Sequence, residues 1–257
     1  METYTSQLFN INGRNLFVAF YGLPQNPVLI FLHHGLGSIY SWQPQIEVFA
    51  NSGYCVIAYD RWGYGKSDYR SSLITNDFKE DLADLSALLD HLKIKRAALI
   101  GHSDGGTLAM YYAARFPEII GCLVVVAAHI YVEPSMVSGI LQVRKSFYEN
   151  PWFRSALQHL HGDKTEQMFS NWYNGWVKME NLGWDMRQII RSILCPTLVI
   201  QGENDEHATL QHARDIAEAI SNSRLWLEPG ARHQLPQDIP DVFNHKVLEF
   251  LKENYVS

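Results

Sequence analysis

The chain has 257 residues, 47% hydrophobic and 19% charged, with a formal net charge of -6 and a pI near 6.0. Such a composition can bury a sizeable core and excludes a disordered chain. No basic run offers a surface to nucleic acid or an anionic membrane, and no stretch approaches the roughly 18 apolar residues of a spanning helix.

The N-terminus, Met1-Glu2-Thr3-Tyr4, has no basic segment leading into an apolar one, so no secretory signal is expected. Cys55, Cys122 and Cys195 are odd in number and widely spaced, which argues against a disulfide framework or a zinc site. A cytoplasmic location is expected, with no metal and no cofactor.

Residues 3–10 and 14–20 alternate apolar and polar around Asn12-Gly13, the pattern of a β-hairpin. Continuous apolar runs of strand length follow at 28–32, 55–59, 97–100, 123–127 and 197–200. Runs without alternation suit a parallel sheet covered on both faces. Helical patterns lie between them. Over 76–92, Phe78, Leu82, Leu85, Leu89 and Leu92 form one stripe, with Asn76 or Asp77 as N-cap. Residues 104–115 and 208–220 read as helices, and Phe243, Val247, Phe250 and Leu251 mark another at the C-terminus. Alternating strands and helices imply an α/β sheet of βαβ units.

Residues 129–191 break this rhythm with helical patterns and four of the seven tryptophans, among them Trp152, Trp172, Trp176 and Trp184. The expected organisation is a core of residues 1–128 and 192–257 with a helical cap of residues 129–191 inserted.

The chemistry is carried by Gly101-His102-Ser103-Asp104-Gly105-Gly106, which follows a strand run and opens a helix. In that context G-x-S-x-G is the nucleophile elbow of α/β-hydrolases. Small residues flanking the serine let strand and helix approach closely, and the tight turn lifts the hydroxyl to a helix N-terminus. Alone, the motif is equally a glycine-rich βα turn. Two later residues raise its value. Asp205 leaves the run at 197–200, where sites lie in open α/β sheets. His233 follows a strand-like segment at 224–227. Nucleophile, acid and base then occur in the order this fold uses. Ser103, Asp205 and His233 are therefore the expected catalytic triad. The loop His33-His34-Gly35-Leu36-Gly37-Ser38 is expected to form an oxyanion hole from the backbone N–H of Leu36, together with that of Asp104. Adjacent His33 and His34 face opposite ways in a strand and do not read as metal ligands.

These motifs, with Asp60-Arg61-Trp62-Gly63-Tyr64-Gly65-Lys66-Ser67-Asp68 between them, resemble the α/β-hydrolase family over nearly the whole chain. Ser103-Asp104-Gly105-Gly106 is similar to the biphenyl hydrolase-like, valacyclovir hydrolase branch. The resemblance implies an eight-stranded, mostly parallel sheet flanked by helices, and cofactor-free serine esterase activity. It also implies that the acid after the nucleophile, here Asp104, binds the α-amino group of an amino acid ester; the residue reads equally as a carboxylate favouring a helix N-terminus. His102 stands where that branch has tryptophan. The expected partner is a small-molecule ester, with the protein a monomer or homodimer. Trp172 and Trp176 are candidate pocket walls, or else glue between cap and core. The alternatives are a C–C bond hydrolase of ring-cleavage products, or a ligand-binding receptor on the same fold.

Overall fold

The computed structural model describes residues 4–73 and 78–255; the expected helix cap at Asn76 or Asp77 lies outside them. Strands β1 (Thr5–Ile11) and β2 (Arg14–Tyr21) form an antiparallel hairpin. Asn12 and Gly13 close it at φ 51° and 79°. A two-residue turn between right-twisted strands needs that left-handed pair, which asparagine and glycine adopt at least strain.

β2 pairs antiparallel with β4 (Cys55–Tyr59). Parallel pairing joins β4, β3 (Val28–Leu32), β5 (Ala97–His102), β6 (Ile120–Val126), β7 (Thr197–Gly202) and β8 (Ser223–Glu228). Among the described residues the result is one eight-stranded, mostly parallel sheet in the order β1-β2-β4-β3-β5-β6-β7-β8.

The continuous apolar runs are explained by helices on both faces. In β3, Leu29 and Phe31 enter one core, while Ile30 and Leu32 enter the other. Helices α1 (Gln43–Asn51) and α10 (Pro240–Asn254) cover the first face with Ile46, Phe49, Phe243 and Val247. Helices α2 (Lys79–His91), α3 (Asp104–Arg115) and α8 (Leu210–Ala219) cover the second with Leu85, Leu88, Leu108 and Ile216. Each such side chain contributes about 1.5–3 kcal/mol of transfer free energy before conformational entropy is counted.

Between β6 and β7 lie α4 (Pro134–Glu149), α5 (Pro151–His161), α6 (Thr165–Leu182) and the short α7 (Arg187–Ile190). Asn150 starts α5 by accepting from the N–H groups of Trp152 and Phe153, with Pro151 at the first helical position. Phe147 and Phe169 stack at 3.8 Å, and with Leu157 and Met168 they pack onto Leu36 and Tyr64 of the sheet's loops. Trp152, one of the four tryptophans of this segment, is 86% exposed and takes no part in this packing.

The loop after β4 is held by buried charge. Arg70 donates to Asp81 at 2.9 Å and to Glu80 at 2.6 Å, and Arg61 reaches Asp81 at 3.5 Å. No helix among the described residues is long and apolar enough to cross a membrane.

Candidate active site

Ser103 joins β5 to α3 with φ 54° and ψ −119°, a left-handed conformation that a non-glycine residue seldom takes. The turn is possible because of its glycines. A Cβ on Gly101 would lie 2.2 Å from the Gly105 carbonyl oxygen, and one on Gly105 would lie 2.1 Å from that of Leu32. α3 thereby starts almost in contact with β5 and β3, with Ser103 at its N-cap.

Asp205 follows β7, and His233 lies in the loop between β8 and the short α9 (Leu235–Asp238). Both carboxylate oxygens of Asp205 are 3.0 Å from Nδ1 of His233. The Asp205 side chain is fully buried, and Oδ1 also accepts from the N–H of His207 at 2.8 Å and of Ala208 at 3.3 Å. Burial works to raise its pKa; the His233 charge and these hydrogen bonds outweigh it and hold the carboxyl well below the ordinary carboxylate range. Donation from Nδ1 to an anionic Asp205 leaves Nε2 of His233 with its lone pair.

Ser103 and His233 line one cavity of about 200 Å³, together with His34, Gly35, Leu36, Asp104, Trp172 and Trp176. All the residues expected at the site except Asp205 therefore border one space, and Asp205 stands behind His233. The Leu36 N–H points to His34 Nδ1 at 3.4 Å, longer than an ordinary hydrogen bond. Asp104 is the first residue of α3, where backbone N–H groups have no partner within the helix.

The Asp104 carboxylate is 2% exposed. Burial raises its pKa to about 6, against the lowering effects of the Arg61 guanidinium and of the Trp176 indole donating to it. A Cβ on Gly35 would lie 2.5 Å from Asp104 Oδ2 and 2.3 Å from Trp172 Nε1, so these three residues converge. Trp176 also packs edge-on against Trp184 at 5.8 Å, so it both lines the cavity and binds helix to core.

Three neighbours of the site, His129, His207 and Arg61, were not singled out on sequence. Rings of His102, His129 and His207 lie 5.1, 6.2 and 4.6 Å from that of His233. His102 Nε2 donates to the His233 carbonyl at 2.9 Å and so fixes the loop that carries His233. Burial pushes the pKa of His102 down to about 3, of His207 to about 4, and of His129 well below the usual value. These rings stay neutral beside His233. His129 comes shortly after β6 and His207 shortly after β7, at the strand ends where sites collect; that position is the signal that could have marked them. Arg61 has none, because its approach to Asp104 depends on the tertiary fold. Among the described residues no group of three or more His, Cys, Asp or Glu side chains is arranged to hold a metal.

The sequence pattern of the alpha/beta hydrolase fold family matches residues 27–157. Serine hydrolase BPHL of Homo sapiens is 32% identical over 256 residues, covering 96% of this chain and 87% of that protein. Serine hydrolase BPHL of Mus musculus is 30% identical over 259 residues, with the same coverage. The crystal structure of the enol-lactonase from Burkholderia xenovorans LB400 superposes with a TM-score of 0.79 at 22% identity, covering 96% of this chain and all of that one. By its family pattern and by identity of 30% or more along almost its full length, the chain belongs to the alpha/beta hydrolase fold family.

Proposed function

We propose that the protein is a serine hydrolase of small carboxylic esters, with Ser103 as nucleophile, His233 as general base and Asp205 orienting the histidine. One observation carries the reading: a serine on a strained strand-to-helix turn shares a cavity with a histidine whose far nitrogen is bonded to a buried carboxylate. The similarity to serine hydrolases named BPHL supports it.

In this mechanism Ser103 Oγ attacks the ester carbonyl carbon while His233 Nε2 takes the hydroxyl proton. The oxyanion is held by the N–H groups of Leu36 and Asp104, the first exchanging its long contact with His34 for a shorter one. Collapse of the tetrahedral intermediate expels the alkoxide, which takes the proton from His233. Water then attacks the acyl-enzyme through the same histidine and frees the acid and Ser103.

Asp104 suggests the substrate class. A buried carboxylate at the cavity wall, beside the nucleophile, suits the ammonium of an amino acid ester, whose charge would offset the desolvation of Asp104. Trp172 and Trp176 would shape the acyl side, with residues 129–191 acting as a cap over the site. The test is hydrolysis of one amino acid ester with its amine free and acetylated, using Ser103→Ala as the blank. Serine-dependent turnover favouring the free amine is expected. Equal rates would keep the serine hydrolase and remove the ammonium role. No serine-dependent rate with either ester would redirect the reading to C–C hydrolysis or ligand binding.

A further inference from the structure

His161, at the end of α5, is 2% exposed and uses both ring nitrogens. Its Nδ1 lies 2.9 Å from the backbone N–H of Gly65, in the turn after β4. An N–H can only be accepted there, so Nδ1 carries no proton. Nε2 must then carry the hydrogen of the neutral ring, and it donates to the carbonyl oxygen of Leu36 at 3.1 Å. Burial keeps the ring in that neutral form, with its pKa pushed down to about 4.

The Leu36 carbonyl shares a peptide plane with the Gly37 N–H, and that N–H donates to the His34 carbonyl at 3.0 Å. Both polar ends of this peptide are thus tied, one inside its own loop and one to a helix more than a hundred residues away. Space around the loop is equally restricted. A Cβ on Gly37 would lie 2.5 Å from Ser41 Oγ, and Gly35 is closed in by Trp172 and Asp104. With peptide 36–37 held, the preceding peptide, which carries the Leu36 N–H, has little room to turn.

We propose that His161 is a positioning residue for the oxyanion loop: through the Leu36 carbonyl it sets the direction of the Leu36 N–H and couples it to the seating of α5 on the Gly65 turn. This rests on the reading of Leu36 as an oxyanion donor. His161 touches no reacting atom. Its effect belongs to the transition state, where the oxyanion forms, and not to ground-state binding of the ester.

Two variants separate the two bonds of the ring. In His161→Asn the short amide can still accept from Gly65 but cannot reach Leu36. In His161→Gln the longer amide can donate to Leu36. Loss of a whole oxyanion donor costs 10²–10³ in kcat, and misplacement by an ångström about 10². The expected result is a fall of about 10- to 100-fold in kcat for His161→Asn with KM within about twofold, and recovery of most of that loss in His161→Gln. Equal losses in both variants, or a change carried by KM, would overturn the proposal. So would kcat near wild type in a folded His161→Asn protein. A measurement on the unaltered protein covers failure of the variants to fold. The His161 Nε2–H proton resonance should shift when a phosphonate ester phosphonylates Ser103, because the new oxyanion pulls on the Leu36 peptide; an unmoved resonance counts against the coupling. Ser103→Ala on the same ester keeps the two readings apart. A rate that survives that substitution defeats the oxyanion reading and this one together. A Ser103-dependent rate indifferent to His161→Asn defeats only this one.

Discussion

The backbone N–H of Ser103 donates to the carbonyl of Val126 at 2.8 Å, so the strained residue is tied by its main chain to the end of the neighbouring strand. Its own carbonyl accepts from Gly106 at 2.8 Å and Thr107 at 3.0 Å. The hydroxyl takes no part in these bonds. Ser103→Ala should therefore keep the turn while kcat falls by roughly 10⁶, as in other triads. Ester hydrolysis with circular dichroism of the variant checks both halves; a folded variant with substantial turnover would remove Ser103 from the mechanism.

Asp104→Asn keeps shape and removes charge. For a free-amine ester kcat/KM should fall by about 10- to 100-fold, with little change for the acetylated ester, since a hydrogen bond to a charged group contributes about 1.5–3 kcal/mol. In wild type the preference for the free amine should weaken below about pH 6, where the Asp104 carboxyl takes up its proton. The ratio of the two rates from pH 5 to 8 reads this directly.

Stability should fall in mild acid. Among the described residues His33, His34, His102, His129, His161, His207 and His212 are all held below the ordinary histidine pKa, with burial the leading cause. As pH drops from about 6.5 toward 4 the unfolded chain binds protons on these rings and the folded chain does not. Each such proton lowers stability by about 1.4 kcal/mol per pH unit. Asp104 opposes the trend, as do Asp60 and Asp84, whose carboxyls burial also raises: with the Asp104 carboxyl raised to about 6, its contribution is lost as pH rises through that window. Urea midpoints at pH 7.5, 6.5 and 5.5 should decrease in that order, and a flat series would contradict neutral burial of the histidines.

Two glycines should respond differently to alanine. Gly13→Ala meets nothing within 4 Å and suffers only from φ 79°, a cost of about 1–2 kcal/mol. Gly101→Ala drives a methyl to 2.2 Å from the Gly105 carbonyl and must displace α3. It should be the more destabilising of the two and should abolish turnover as well, which thermal melts and rate assays of the pair would establish.

Asp81→Asn should destabilise by about 3–5 kcal/mol, because it leaves the guanidinium of Arg61 without an anion at its nearest neighbour and that of Arg70 with Glu80 alone. Each of the three side chains is 1% exposed. Chemical denaturation measures the loss, and a value under about 1 kcal/mol would mean that water reaches the pair.

What was readable in the sequence is what local chemistry decides. Asn12-Gly13 specifies its own turn, the continuous strand runs declare two covered faces, and Gly101 to Gly105 dictates a close strand–helix approach. Asp205 and His233 were legible through their place after strands, which the parallel topology brings to one edge of the sheet. The contacts across that edge were not. His161 meets Leu36 at a separation of 125 residues, and neither ring nitrogen announces its partner. Nor does the apolar stripe of α2 show that Asp81 and Asp84, on the same helix, are buried against Arg14, Arg61 and Arg70.

A strand whose two faces are both apolar has lost a safeguard that alternating strands possess. Sliding β5 by one residue would exchange its inward neighbours for equally oily ones, so hydrophobicity scarcely distinguishes the correct alignment from its nearest error. Discrimination has to come from the one place along the strand where bulk is forbidden. Only glycine at 101 can lie against the carbonyl of residue 105, and only glycine at 105 against that of residue 32. The pair works as a registration notch for the middle of the sheet, and an error of one position there would be rejected at Ser103 itself.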